Sequence, residues 1–251
     1  MKKSNEFTEP ELYDIFNNDC SDDIAWYIDY CKKYKDILEL GIGTGRIAIP
    51  LAQCGHDVWG VDNSPDMLRV LRKKMKTKNI SNIHIIEQDV CTLKLNSKFA
   101  IALIPFCMFN FLLSSEEQCA ALLSLRECTT EDAVLIFELI TPWTFFVHQN
   151  KETFMHYRSF EYNSKNVAIY LKNDFNGQDN ILTQNRLFRI DDEEKEIIMK
   201  NCIISVEKFQ KLLNLCGYEI SETYGDFNNN PYKEDSTSLI VIVKKVHGTK
   251  E

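Results

Sequence analysis

The chain has 251 residues, 44% of them apolar, with 37 Asp and Glu against 29 Lys and Arg for a formal net charge of −8. That length and apolar share suit one large α/β domain, or a domain with an inserted cap, and the acidic balance disfavours broad binding to a phosphate backbone. No run reaches the ~20 apolar residues that a membrane span needs.

The opening MKKSNEFTEPELYD has two lysines with no apolar stretch behind them, so no signal peptide is expected. Residues 9–34 read as one or two helices, with Ile24, Tyr27, Ile28 and Cys31 on one face and Ser21 as a cap ahead of Asp22 and Asp23. DILEL (36–40) reads as a short buried strand and 44–54 as a helix, in which Pro50 should cause a kink or an irregular first turn. DVWGVD (57–62) is the second strand, and SPDMLRVLRKKMK (64–76) a helix with Ser64 as N-cap and Pro65 at the first position. The cations Arg72, Lys73, Lys74, Lys76 and Lys78 fit the C-terminal end of that helix better than an RNA patch. NIHIIEQ (82–88) and KFAIALI (98–104) are strands three and four. A helix at 114–128 follows, with a capping box from Ser114 and Glu117, and then the strand AVLIFEL (133–139). Strands alternating with helices argue a parallel sheet covered on both faces.

Beyond this point the pattern changes. TFMHYRSFEY, VAIYLKNDF, ILTQNRLFRI and EIIMKNCII are extended stretches separated by turn signals, which predicts an antiparallel meander inserted in the α/β unit, with DDEEKE (191–196) as a solvated turn. VEKFQKLLNLCG (206–217) returns to helix, stopped by Gly217, and two closing strands flank NNNPYKED. The nine cysteines show no C-x-x-C spacing, so neither a zinc site nor a disulfide framework is supported and no metal is expected. Reduced thiols in a cytoplasmic protein are the expectation.

The stretch LELGIGTGRI (38–47) carries the most chemistry. Gly41, Gly43 and Gly45 form a turn directly after a strand, where backbone can approach a ligand without Cβ clashes. The G-x-G-x-G spacing is one residue tighter than a dinucleotide fingerprint, and the Lys and Ser/Thr of a phosphate-binding loop are missing. Asp62, ending the second strand, is placed to accept both hydroxyls of a ribose. Asp89, after the third, can accept from an adenine amino group. Glu39, Asp62 and Asp89 mark three successive strands beside the glycine turn.

LELGIGTGRIAIPLA resembles the first motif of the class I S-adenosylmethionine-dependent methyltransferases, GVDNSPDML the second and EQDV the third, while IPFCMFNFLLSSEEQCAALLSLREC resembles their fourth strand and following helix. The chain's opening and its ending YGDFNNNPYKEDSTSLIVIVKK are similar to a bacterial branch with many small-molecule methyltransferases, of the methyltransferase domain 25 type. The resemblance covers most of the chain except about 143–204. It implies a Rossmann-like fold with a mostly parallel seven-stranded sheet and helices on both faces. Residues 1–142 and 205–251 would form the S-adenosylmethionine-binding domain, and 143–204 an inserted antiparallel β lid that recognises the acceptor. It further implies that Glu39, Gly41, Gly43 and Gly45, with Arg46 beside them, line the methionine part of the cofactor, and that Asp62 holds the ribose. Asn63, Met67, Asp89 and Val90 would meet the adenine, and Ile104 the methionine amino group. Tyr13 and Tyr27 would close over the cofactor, which leaves as S-adenosylhomocysteine. Where relatives of this branch often have Asn and His after the fourth strand, this chain has Cys107 and Phe111.

A sulfonium makes its methyl group electrophilic, so the protein must hold a nucleophile in line with the S–CH₃ bond. Candidate proton acceptors are His148, His156 and Tyr13; His56 and His84 read as structural. Phe106, Trp143, Tyr157, Tyr170 and Arg186 are the candidate acceptor-binding residues. The expectation is methyl transfer to nitrogen or oxygen of a small molecule by a monomer or homodimer, without nucleic acid or membrane partners. A tRNA-modifying enzyme, supported only by the basic run, and a non-catalytic S-adenosylmethionine-binding regulator are the alternatives. An NAD-dependent oxidoreductase is disfavoured by the glycine spacing.

Overall fold

The computed structural model of the chain describes residues 5–141 and 150–246. Four parallel strands, β1 (Asp36–Leu40), β2 (Asp57–Asp62), β3 (Ile83–Glu87) and β4 (Phe99–Ile104), alternate with helices, and β5 (Thr129–Leu139) continues the sheet beside β4. A meander follows: β6 (Asn150–Tyr162), β7 (Lys165–Asn176), β8 (Ile181–Ile190) and β9 (Glu193–Cys202), each antiparallel to the next. The chain closes with β10 (Tyr218–Tyr224) and β11 (Leu239–Lys245), an antiparallel pair whose second member also runs antiparallel to β5. The sheet order is β10-β11-β5-β4-β1-β2-β3 for the seven strands and β6-β7-β8-β9 for the four. This is the expected fold class, a mostly parallel seven-stranded sheet with helices on both faces plus an antiparallel meander.

Among the described residues the α-helices are α1 (Pro10–Phe16), α2 (Asp22–Cys31), α3 (Ala48–Gln53), α4 (Pro65–Lys78), α5 (Ser115–Cys128) and α6 (Val206–Leu215). Alternate residues of each strand feed opposite faces of the sheet. Leu38, Leu40, Ala102, Leu135, Phe137, Val241 and Val243 pack with α5 and α6. Ile37, Ile101, Leu103, Ile136, Ile240 and Ile242 pack with α2, α3 and α4. This two-sided burial is why the strands read as unbroken apolar runs. Each fully buried Leu or Ile here contributes about 1.5–3 kcal/mol by leaving water.

The caps follow local chemistry. Ser64 Oγ accepts from the Met67 N–H at 3.3 Å, and Ser114 with Glu117 forms the full capping box. Ser21 stands at the start of α2 but makes no capping hydrogen bond. The helix expected over 44–54 is shorter. Gly45 is left-handed at φ 85 and holds 44–47 in turns, and Pro50 falls in the first turn of α3, where its missing N–H costs nothing. In DDEEKE the turn is confined to Asp191 and Asp192; from Glu193 the chain is already β9, paired with β8. His56 is buried with its Nδ1 2.7 Å from the Tyr34 carbonyl, and His84 stacks on Trp59 at 4.2 Å, both structural placements. A small core of Leu12 and Ile15 from α1 with Val167, Ile169, Phe188 and Ile197 seats the N-terminal helix on the meander. Trp143 and His148 lie outside the described residues.

Candidate active site

The carboxyl ends of β1–β4 open toward α1 and the inner face of the meander. After β1 the chain reverses through Gly41 (φ 71) and Gly43 (φ 53), a conformation that excludes a Cβ at low cost. The Gly41 and Ile42 N–H groups both donate to the Val61 carbonyl, at 2.8 and 3.0 Å, which pins the turn to β2. Space agrees with torsion: a Cβ on Gly41 would stand 2.3 Å from Met108 Cγ. Asp62 Oδ2 accepts from the Gly43 N–H and Oδ1 from the Ser64 N–H, both at 2.8 Å. Burial raises its pKa, and the backbone donors of Ser64, Gly43 and Asn63 act against that rise.

A cavity of about 710 Å³ lies over this turn. It is lined by Tyr13, Gly41, Gly43, Asp62, Asn63, Met67, Asp89, Val90 and Phe106 on one side. Tyr157 and Arg186 line it from the meander, so eleven of the sequence candidates come together. Asp89 Oδ1 also accepts from the Cys91 N–H at 2.8 Å, fixing a short turn after β3. Glu39, Gly45, Tyr27, Arg46 and Ile104 are not cavity-lining. Tyr27 is fully buried between Trp26 and Phe227, and burial pushes its hydroxyl pKa well up, with Glu138 adding to the effect.

His156 and Tyr170 are directly paired across β6 and β7, and neither is in the cavity wall. His156 is exposed, with Nε2 2.8 Å from Ser159 Oγ, and Tyr170 accepts from Arg189 at 3.2 Å. The β6–β7 pairing slips between His156 and Arg158, and at that irregularity Tyr157 enters the cavity wall while His156 stays outside it. This placement withdraws His156 as a base and Tyr170 as an acceptor contact.

Arg46 and Arg186 were sequence candidates, but their partners, like Glu138, Asn173, Gln184 and Asn201, had no local signal in the sequence. Arg46 forks onto Asp23 of α2, at 2.8 and 2.5 Å, and its guanidinium lies 4.2 Å over the Phe106 ring. Burial works against that charge, and the Asp23 hydrogen bonds outweigh it and hold the pKa above the ordinary value. Glu138, ending β5, accepts from the Phe106 N–H at 2.7 Å. Asn173, Gln184 and Asn201 form a polar patch on the inner meander face: Gln184 donates to Asn173 at 3.0 Å and accepts from Arg186 Nε at 2.6 Å. Arg186 also stacks on Phe16 of α1 at 3.6 Å. These depend on partners well apart in the chain, from Asn173 with Gln184 up to Arg186 of β8 against Phe16 of α1, or on strand alternation inside the meander.

The wall fits an adenosyl sulfonium cofactor. Asp62 lines the cavity, and a carboxylate has acceptor capacity beyond its backbone donors, so ribose hydroxyls can donate to it. Glu39 is buried beneath the turn with Oε2 unpartnered, and burial pushes its pKa up to about 8. An orphaned buried carboxylate oxygen suits a cationic donor such as an ammonium.

The comparisons agree with this geometry. Residues 37–132 match the family model of the methyltransferase domain, Methyltransf_25. A protein of Geobacillus sp. (strain WCH70), GWCH70_2453, whose name marks it as a methyltransferase of unconfirmed activity, is 24% identical over 93% of this chain and 96% of its own length. Among solved structures, an S-adenosylmethionine-dependent methyltransferase from Clostridium acetobutylicum ATCC 824 superposes with a TM-score of 0.81 at 19% identity, covering 94% of this chain and 97% of that one. CalS10 of Micromonospora echinaspora, an amino pentose methyltransferase solved with S-adenosylmethionine bound, gives 0.70 at 18% identity over 89% and 91%. Residues 37–132 carry a methyltransferase domain, and the fold is that of the class I S-adenosylmethionine-dependent methyltransferases. Its cofactor is S-adenosylmethionine.

Proposed function

We propose that the protein methylates a nitrogen or oxygen of a small polar molecule, and that nitrogen is the better fit. The carrying observation is the single cavity that joins the glycine turn to the buried amides of the meander, with carboxylates (Asp62, Asp89, Glu117) at one end and Asn173, Gln184, Arg186 and Asn201 at the other. Its volume of about 710 Å³ suits a cofactor with a small second ligand. The name of CalS10 gives an amino pentose as that protein's acceptor, which is compatible with an amide-lined pocket here.

S-adenosylmethionine supplies the electrophilic methyl group when bound. In this reading Asp62 holds the ribose, Asn63, Met67, Asp89 and Val90 frame the adenine, and Glu39 with the glycine turn holds the methionine end. Tyr13, Phe106 and Tyr157 exclude water from the transfer point. The meander amides orient the acceptor so that its lone pair faces the methyl group. A neutral amine carries its own lone pair and needs only to be held in line, whereas a hydroxyl wants a base. Residues 143–204 act as the lid and acceptor-recognition region on the domain formed by 1–142 and 205–251.

The test is a calorimetric titration with S-adenosylmethionine, S-adenosylhomocysteine and NADH, followed by a screen of amines and alcohols for S-adenosylhomocysteine release. Binding of the first two and turnover on a small amine is the expected result. Methylated RNA or protein in cell extract without a methylated metabolite would overturn the acceptor class.

A further inference from the structure

We propose that Glu138 is a positioning residue for the amino-acid end of the cofactor. Its carboxylate fixes Phe106 and Cys107 in the left-handed backbone form that walls the cavity beside the glycine turn. The inference rests on the cofactor placement given above and names a residue that no part of that reading used.

Phe106 and Cys107 stand at φ 51 and 58, two consecutive residues with a Cβ in a region that favours glycine. Such a pair persists only where the surroundings over-determine it. Three contacts do so here. Glu138 Oε2 accepts from the Phe106 N–H at 2.7 Å. The Met108 N–H donates back to the Pro105 carbonyl at 3.1 Å, closing the turn. Arg46, locked on Asp23, covers the Phe106 ring. Of the three, the Glu138 contact alone reaches a strained residue's backbone from another element. Without it the half-buried Phe106 N–H would lose its acceptor, and the loop would relax toward negative φ.

The loop's place in the sheet assigns what it touches. In the order β5-β4-β1-β2-β3, Asp62 ends β2 and Asp89 follows β3, while residues 105–108 follow β4 on the other side of β1. A ligand with its ribose at Asp62 and its base toward Asp89 therefore has its amino-acid end at Phe106, Cys107 and Met108, which all line the cavity. Met108 meets the turn at Gly41 itself. Glu138 is buried behind this loop and does not line the cavity, so it acts through the backbone it holds.

The experiment compares two probes on the full-length chain by calorimetry. S-adenosylhomocysteine carries the amino-acid end; 5′-methylthioadenosine has the same nucleoside and sulfur without it. Glu138→Ala should weaken the first by about tenfold or more and leave the second within about twofold. Glu138→Gln keeps an acceptor oxygen and should restore affinity for S-adenosylhomocysteine. Glu138→Asp keeps the charge but withdraws the oxygen by one methylene; it should behave as Ala does and serves where Ala does not fold. Equal loss of both probes means general structural damage and overturns the proposal, as does no loss of either. Asp62→Ala separates the two levels. If it weakens both probes while Glu138→Ala weakens neither, Glu138 alone is misassigned. If Asp62→Ala changes neither probe, the cofactor placement falls and takes this proposal with it.

Discussion

The Thr44 hydroxyl in the glycine turn donates to Asp14 Oδ1 on α1 at 2.7 Å. The same carboxylate takes Lys74 of α4 at 2.7 Å, so one side chain joins the N-terminal helix, the cofactor turn and the helix after β2. Thr44 is fully buried, and its hydroxyl has no water to fall back on. Thr44→Val removes the donor at nearly constant volume and leaves the half-buried Asp14 carboxylate with Lys74 but one partner short, at a cost of about 1–3 kcal/mol. The expected outcome is a lowered melting temperature and faster proteolytic cleavage near α1. Affinity for S-adenosylhomocysteine should drop as well, because Tyr13 and Phe16 reach the cavity from this helix. Unchanged proteolysis would show that α1 is held by the meander contacts of Leu12 and Ile15 alone.

Asp62 supplies a direct test of the ribose placement. Asp62→Ala removes both carboxylate oxygens and frees the Gly43 and Ser64 N–H groups. Two lost charge-assisted hydrogen bonds correspond to about 3–6 kcal/mol, so Kd for S-adenosylhomocysteine should rise by at least about a hundredfold. Asp62→Asn keeps an acceptor on one side only and should fall between wild type and Ala. Equal affinity in all three, measured by calorimetry, would remove Asp62 from the site.

Stability without ligand should fall as pH rises through neutrality. Burial pushes Glu39 up to about 8 and Glu138 up to about 7, in each case against the opposing pull of Arg46. Both carboxyls are protonated in the folded chain at pH values where the unfolded chain has released the proton. Their contribution is thus fully present below about 4.5 and is lost as pH climbs through 7 and 8. The slope is at most about 1.4 kcal/mol per pH unit for each group. Urea midpoints between pH 5.5 and 8.5 measure it, and Glu39→Gln should flatten the curve. A midpoint that rises over this range contradicts the assignment. Cofactor binding has a linked sign: an ammonium beside Glu39 favours the carboxylate, so titrations at pH 7 in buffers of different ionisation enthalpy should register proton release.

Legibility in the sequence tracked the distance over which each signal acts. Gly41, Gly43, Asp62 and Asp89 sit at strand ends next to turn residues, so a single stretch of chain gives both element and role. The meander was legible for a similar reason, since NSKN, NGQDN and DDEEK separate apolar runs of the right length. Which face of β6 meets the cavity was not. His156 and Tyr157 are adjacent, and their assignment depends on a pairing that shifts register between His156 and Arg158. Arg46 read as a cofactor contact from its motif position, yet its guanidinium is committed to Asp23, and nothing in SDDIAWY announces a partner 23 residues away. Glu138 reads as one more residue of an apolar strand until β5 is set beside β4.

The acceptor end of the cavity yields the last expectation. Gln184 is held from both sides, by Asn173 at 3.0 Å and Arg186 at 2.6 Å, so its amide is fixed in one orientation on the inner face of β8. Leu182, Leu171 and Met199 line the same wall, so the amide patch is the polar feature an acceptor would meet there. Gln184→Leu keeps the volume and removes the polar pattern. Arg186 Nε and Asn173 Oδ1 each lose a partner, so stability should fall by about 1–3 kcal/mol while S-adenosylhomocysteine binds as it does to wild type. KM for the acceptor found in the amine screen should rise by about tenfold, with a smaller change in kcat. A loss of cofactor affinity of the same size would instead make the amide patch part of the cofactor wall. A KM that does not move would place the acceptor elsewhere in the cavity, against Tyr157 and the aromatic side.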